Sequence, residues 1–310
     1  MYSLSDLKTI KDEPKVFLRE LNRLYYTQLR TKEYNTDAPN VFDKDWDNLL
    51  ILDACRYDAF ADAVSDFDLP GELDYDYSRG ACTIEFLMAN LQGRDLSDTV
   101  YVTATSMLYR MMVLNDELDH NLHAVVDVWE DAIDVGEWGV RPERMAKRMH
   151  EINEEYPNKR LVVHFIQPHI PFIGEYGSQR FEDADIWRRH LQNSLDASDE
   201  ELWRAYRENL EVVLPNVRDL LYKLPGKSVV TSDHGQLIGE RGFPIPFKEY
   251  GHPVGIYPEE LVKVPWQVYQ NGARKRIVAE APKEAAYEEK DSEELDTKAE
   301  AHLKNLGYLQ

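Results

Sequence analysis

The chain has 310 residues, 43% of them hydrophobic, which is enough for a sizeable core in one α/β domain with decorations. Acidic side chains outnumber basic ones by 57 to 36, giving a net charge of −21; a surface this negative repels nucleic acid and anionic lipid, and neither is expected as a partner. No apolar run approaches the length of a membrane span, the start Met1-Tyr2-Ser3-Leu4-Ser5-Asp6-Leu7-Lys8 has no signal pattern, and the two cysteines, Cys55 and Cys82, lack zinc-type spacing and fit a reducing compartment, so a soluble, cytoplasmic protein is expected.

Residues 3–30 read as helix, with Leu18, Leu21, Leu24, Tyr25 and Leu29 at helical spacing. A turn-rich connector follows over 35–47, with a turn at Pro39-Asn40 and an anchor in Trp46. Asn48-Leu49-Leu50-Ile51-Leu52-Asp53 reads as the first core strand, with a helix after it over 54–64. Residues 75–80 read as a polar, aromatic loop and 83–91 as a helix; 99–103 and 123–126 read as further strands. Pro142 opens an amphipathic helix to 156. Residues 160–166 form another core strand, running into Gln167-Pro168-His169-Ile170-Pro171-Phe172. Ser198 and Glu201 form a capping box that opens a helix to 224, and Pro215 is expected to kink or split it. Residues 227–232 and 264–269 read as the last strands. From about residue 274 the chain turns charged, and 283–298 reads as a solvated helix or flexible segment, closing on an apolar patch of Leu303, Leu306, Tyr308 and Leu309 that can dock on the body.

Strands alternating with helices predict an α/β fold: a mostly parallel central sheet with helices on both faces and an N-terminal helical arm. The expected division is an arm and connector over 1–44, a catalytic domain over 45–273, and an acidic C-terminal tail over 274–310.

Three predicted strand ends carry polar residues. Asp53 ends the first; His164, Gln167 and His169 lie at the end of a middle one; Val229-Val230-Thr231-Ser232 runs into Asp233-His234-Gly235. In a parallel sheet these ends share one edge, where α/β sheets place ligands. A carboxylate and a neutral imidazole side by side suit a divalent cation, and Gly235 allows a sharp turn. Other readings stand beside these. Asp53 serves equally as a helix cap, and His164, inside an apolar strand, reads as a core histidine before a ligand.

The order of these motifs resembles the alkaline phosphatase superfamily, in its sulfatase-like and phosphoglycerol-transferase-like branch. Asn48 to Arg56 resembles the first strand with its metal-binding aspartate. Ser78-Arg79-Gly80-Ala81-Cys82-Thr83-Ile84-Glu85-Phe86 resembles the nucleophile loop and the helix it starts. His164 to Phe172 is similar to a Pro-His-x-Pro-Tyr segment with Phe172 in the place of the tyrosine. Thr231 to Gly235, followed by Gly239-Glu240, is the most specific match; Gly251-His252 and Leu261 to Pro265 resemble the stretch before the final strand, and Leu306-Gly307-Tyr308-Leu309 also has the family's look. The resemblance covers roughly residues 45 to 270.

It implies one divalent metal ion (manganese, zinc, calcium or magnesium) held by Asp53, Asp233 and His234, and a nucleophile at Thr83 with Cys82 as the competitor. A cysteine matured to formylglycine needs Cys-x-Pro-Ser-Arg, and Cys82 is followed by Thr83-Ile84-Glu85-Phe86. The paired aspartates of sulfatases are replaced by Asp53-Ala54, and the aspartate that two-metal members carry in the middle segment by Gln167 and His169, so one metal is expected. His169 and His252 are expected to contact the ester or protonate its leaving group, and Arg56 and His164 to be substrate contacts. The implied activity is hydrolysis or transfer of a phosphate or sulfate ester, with a small molecule or a glycan as substrate; a non-catalytic member of the same fold is the rival. The dispersed acidic surface is that of a halophilic, high-salt cytoplasm, for which a higher melting temperature in molar KCl than in dilute buffer is the signature.

Overall fold

The computed structural model describes residues 14–30, 34–134, 139–181, 185–283 and 292–308. The predicted helix at residues 3–13 and the terminal Leu309 lie outside them. The strands are β1 (Asn48–Leu52), β2 (Glu72–Tyr77), β3 (Thr99–Thr103), β4 (Ala124–Asp127), β5 (Arg160–Phe165), β6 (Gly226–Thr231), β7 (Leu237–Arg241), β8 (Lys248–Gly251) and β9 (Lys263–Asn271). Seven make one sheet in the order β2-β9-β6-β1-β5-β3-β4, and β7-β8 form a separate hairpin. β1, β3, β4, β5 and β6 pair in parallel, and β9 runs antiparallel to both β6 and β2. The central sheet is therefore mostly parallel, as its apolar strands predict.

The period-two alternation of the strands divides the core into two layers. Leu50, Leu52, Val100, Val102, Leu161, Val163 and Val230 face one side, against helices α5 (Pro142–Glu155) and α8 (Asp199–Lys223). Leu49, Ile51, Tyr101, Val162 and Val229 face the other, against Phe86, Leu87 and Leu91 of α3 (Thr83–Leu91). Helices thus cover both faces. The remaining helices are α1 (Pro14–Leu24), α2 (Tyr57–Ala63), α4 (Val128–Asp134), α6 (Glu175–Arg180), α7 (Ile186–Leu191), α9 (Glu259–Val262) and α10 (Ser292–Asn305), and a short turn of helix spans Met107–Tyr109.

Three local readings change. Residues 75–77 belong to strand β2, not to a loop: β2 pairs only with β9, so most of its side chains face solvent and its sequence lacks an apolar signature. Pro215 does not split its helix. α8 runs unbroken through it, because Leu210, Val213, Leu214, Val217 and Leu220 are buried on both sides of the proline and packing outweighs the lost backbone hydrogen bond. The capping box of Ser198 and Glu201 is formed. Finally, the solvated reading of 283–298 holds only in part over the described residues, since Leu295 is buried there, while Leu303 and Leu306 are buried as the docking patch predicts; residues 284–291 lie outside the described residues.

α1 braces the β7–β8 hairpin. Arg19 Nε donates to Glu249 Oε2 at 2.8 Å, and Asn22 exchanges two hydrogen bonds with the backbone of Ile245, at 3.1 and 2.8 Å. Glu249 is almost fully buried and pairs with that arginine, so the arm fixes the loop that presents His252.

Candidate metal and active site

β6, β1 and β5 are adjacent in the sheet and point the same way, so the residues just past their ends meet. Asp53 follows β1, Asp233 and His234 follow β6, and His169 follows β5. All four are buried. One donor atom each from Asp53, Asp233 and His234 lie within 4.8 Å of one another. His234 Nε2 is 3.5 Å from Asp53 Oδ1 and 3.3 Å from Asp233 Oδ2. Metal–ligand bonds of about 2 Å at tetrahedral angles set their donors about 3.3 Å apart, so this spacing fits a cation.

Backbone geometry holds each donor. Asp233 Oδ1 accepts from the N–H of Ala54 at 3.1 Å and of His234 at 2.9 Å, which leaves Oδ2 for the centre. Ala54 reaches it by adopting a φ of +61°, left-handed backbone that alanine takes at a cost. His234 Nδ1 lies 2.7 Å from the Gly235 carbonyl, so Nδ1–H donates there and Nε2 presents its lone pair. Ser232 ties β6 to β1, with its hydroxyl accepting from the Cys55 N–H at 2.8 Å.

Gly235 is required for closeness and not for a turn: a Cβ there would lie 2.0 Å from the Glu260 carbonyl oxygen, and its N–H donates to Leu261 at 2.7 Å. Gly235→Ala is therefore expected to cost about 1–3 kcal/mol by overpacking, read as a lower midpoint in urea unfolding.

The electrostatics call for a positive charge. Burial, and then the neighbouring Asp233, push the Asp53 carboxyl well above the usual carboxylate range. Burial acts on Asp233 too, but the adjacent His234, His164 and the Ala54 N–H hold it below that range. Two carboxylates are split this way when they share a site without a cation. Asp53 Oδ1 makes no hydrogen bond among the described residues. A buried oxygen of this kind is costly unless a cation completes it. The residues thus fit the metal that the motifs imply.

Thr83 is the first residue of α3, and it is fully buried. Its hydroxyl donates to Asp233 Oδ2 at 2.8 Å and lies 3.3 Å from His234 Nε2. The first turn of a helix carries N–H groups without intrahelical partners and the positive end of the dipole, which favour an anion. Cys82 precedes it as the helix cap. Burial, and then the charge of Glu85, push its thiol well up, so it stays protonated and is a poor nucleophile. Cys55 and Cys82 are both free and buried, not paired.

His169 and His252 complete the cluster. Their ring centroids are 5.0 Å apart, and His252 is 4.6 Å from His234. His169 Nδ1 lies 2.8 Å from the Ile170 carbonyl and His252 Nδ1 2.9 Å from Gln236 Oε1, so Nδ1 is the engaged ring nitrogen in both. Burial pushes His169 down to about 4; burial and the neighbouring imidazoles push His252 well down. Both are neutral at pH 7.

Two expected substrate contacts lie elsewhere. Arg56 gives Nε to Asp58 Oδ1 at 2.9 Å, Nη2 to Asp58 Oδ2 at 2.6 Å and Nη1 to the Gln236 carbonyl at 3.1 Å; it also pairs with Glu240 and lies over the Trp203 ring. Its fork is committed to holding α2 against the hairpin. His164 is behind Asp233, with Nδ1 2.9 Å from the Tyr101 hydroxyl and Nε2 3.7 Å from Asp233 Oδ2. It supports the carboxylate from the core side. The sequence did not single out Gln236, which orients His252, or Glu85, which accepts from Ala81, Gly255 and Tyr257 and locks α3 to the loop after β8. It gave Tyr308 a docking role and a place in the closing Leu306-Gly307-Tyr308-Leu309 stretch, but no contact with the site.

No protein-family model matches the chain, and no curated protein does. Solved structures show likenesses. The C-terminal periplasmic domain of EcEptC from Escherichia coli is 18% identical over 75% of each chain, with a TM-score of 0.46. Lipooligosaccharide phosphoethanolamine transferase A (EptA) from Neisseria meningitidis is 14% identical over 72% of this chain and 47% of its own, with a TM-score of 0.49. The Streptococcus pyogenes phosphoglycerol transferase GacH is 9% identical over 96% of this chain and 92% of its own, with a TM-score of 0.39. At these identities and TM-scores the likenesses assign no activity. Among the described residues no helix is long and apolar enough to cross a membrane.

Proposed function

We propose that this chain is a metal-dependent hydrolase or transferase of a phosphate or sulfate ester, of the alkaline phosphatase-like superfamily, with Thr83 as its nucleophile. One observation carries the reading: a buried hydroxyl at a helix start donates to Asp233 Oδ2 and lies 3.3 Å from His234 Nε2, beside a cluster of two carboxylates and an imidazole whose donor atoms are spaced for a cation. Asp53, Asp233 and His234 would hold one divalent ion, which when bound supplies positive charge for an ester oxygen and lowers the pKa of a bound hydroxyl.

The remaining work falls to the chain's own groups. Asp233 Oδ2 accepts the hydrogen bond of the Thr83 hydroxyl and so fixes where its oxygen sits. The first turn of α3 offers N–H groups to the anionic ester. His169 and His252 stand beside the site with Nδ1 engaged. Neutral imidazoles accept protons and do not donate them from Nε2, so their part in leaving-group protonation begins only once an anionic ester raises their pKa. A sugar or glycerol head group as the substrate rests on the motif resemblance alone, as does the preference for one metal. A high-salt cytoplasm rests on composition.

The rival is a non-catalytic binding or scaffold protein. It draws on the complete burial of Thr83, which no ester reaches without movement of its cover. Wild-type protein loaded with manganese or zinc is the test, assayed with bis(p-nitrophenyl) phosphate, p-nitrophenyl phosphate and p-nitrophenyl sulfate. Chelator-sensitive release of nitrophenol from at least one supports the enzyme. Metal bound without any turnover supports the rival.

A further inference from the structure

α10 is anchored along its length. Ser106 Oγ donates to the Ala299 carbonyl at 2.9 Å, and the His302 ring stacks on Trp129 with centroids 5.6 Å apart. The helix then ends in a paired cap: Gly307 N–H donates to the Lys304 carbonyl at 3.1 Å and Tyr308 N–H to the Leu303 carbonyl at 2.9 Å. Gly307 has a φ of +78°, the left-handed backbone that this cap requires and that glycine adopts without steric cost. The cap fixes the backbone of Tyr308, and its side chain enters the site. The phenol O–H donates to Asp53 Oδ2. The ring lies parallel to His169, 4.7 Å away at 5°, and 6.2 Å from His252.

We propose that Tyr308 is a positioning residue of the metal site. It acts through Asp53: with Oδ2 held by the phenol, Oδ1 is turned toward His234 Nε2. It acts also through His169, whose ring plane it fixes by stacking. The inference rests on the reading of Asp53, Asp233 and His234 as ligands. A ligating carboxylate is commonly held by a hydrogen bond on its other oxygen, and losing that partner costs tenfold to hundredfold in metal affinity. Among the described residues no other side chain donates to Asp53 Oδ2, so the last helix supports a ligand set carried by the ends of β1 and β6.

The test is calorimetric titration of the chelator-stripped full chain with manganese chloride, in wild type, Tyr308→Phe and Tyr308→Ala. Tyr308→Phe keeps the ring and loses the O–H. Its manganese Kd is expected to rise tenfold to hundredfold, with the melting temperature of the stripped protein unchanged. Tyr308→Ala is expected to match that loss of affinity and, in the nitrophenyl ester assay, to lower kcat further than Tyr308→Phe, because the His169 stack is gone. Unchanged affinity in Tyr308→Phe overturns the proposal, with or without a fall in melting temperature. Tighter binding also overturns it, and makes the phenol a competitor of the cation. Wild type that binds no manganese overturns this inference together with the proposed function, whereas binding by wild type with no change in Tyr308→Phe overturns this inference alone.

Discussion

Thr83→Ala is expected to lower kcat for the best nitrophenyl ester by about a thousandfold or more, with metal content and melting temperature close to wild type. The hydroxyl is the proposed nucleophile, and the thiol of Cys82, its neighbour, is pushed up by burial and by the charge of Glu85. A thousandfold corresponds to about 4 kcal/mol of transition-state stabilisation. Loss of the single hydrogen bond to Asp233 Oδ2 costs folding only about 1 kcal/mol. The two effects are therefore separable in one variant by steady-state kinetics and thermal unfolding. Thr83→Ser is expected to keep turnover, and Cys82→Ala to be near neutral. Full activity in Thr83→Ala with loss in Cys82→Ala would reverse the assignment.

Asp233→Asn is expected to abolish metal-induced stabilisation while raising, or leaving unchanged, the melting temperature of the stripped protein. The sign follows from the pair. Burial and the neighbouring Asp233 charge push the Asp53 carboxyl well above the usual carboxylate range; removing that charge removes the second of these costs. An asparagine oxygen still accepts from the Ala54 and His234 N–H groups that bind Oδ1, so the loop keeps its frame. With metal the order inverts. Wild type at a hundred times its Kd gains about 2.7 kcal/mol, and the variant, with one carboxylate where two are needed, gains none. Melting curves with and without manganese read both halves; a stripped variant that melts well below wild type would show that Asp233 is held for folding and not for a cation.

The geometry of the centre was legible because the chemistry sits at strand ends. The β-branched and leucine-rich runs before Asp53 and Asp233 announce buried strands, and one rule, that parallel strands share an edge, brings residues 180 positions apart together. Thr83 was legible by its place at a helix start. What escaped depends on partners that no local pattern encodes. Strand β2 carries alternating tyrosines and acids because only β9 pairs with it, so it reads as a loop. Arg56 at the first strand's end looks like a ligand fork until the hairpin delivers Glu240 to it. Gln236 matters only because its amide meets His252. Tyr308 reaches Asp53 across 255 positions through the cap of the last helix. Its sequence signal, a glycine just past an amphipathic stretch, marks a helix end but not its destination.

Elemental analysis of the wild-type chain, purified without chelator, tests the central claim most directly. About one divalent ion per chain is predicted, removable by chelator and restored by manganese or zinc. No metal, before or after soaking with either, would contradict the account, since the Asp53, Asp233 and His234 cluster would then be a buried polar network with no catalytic centre.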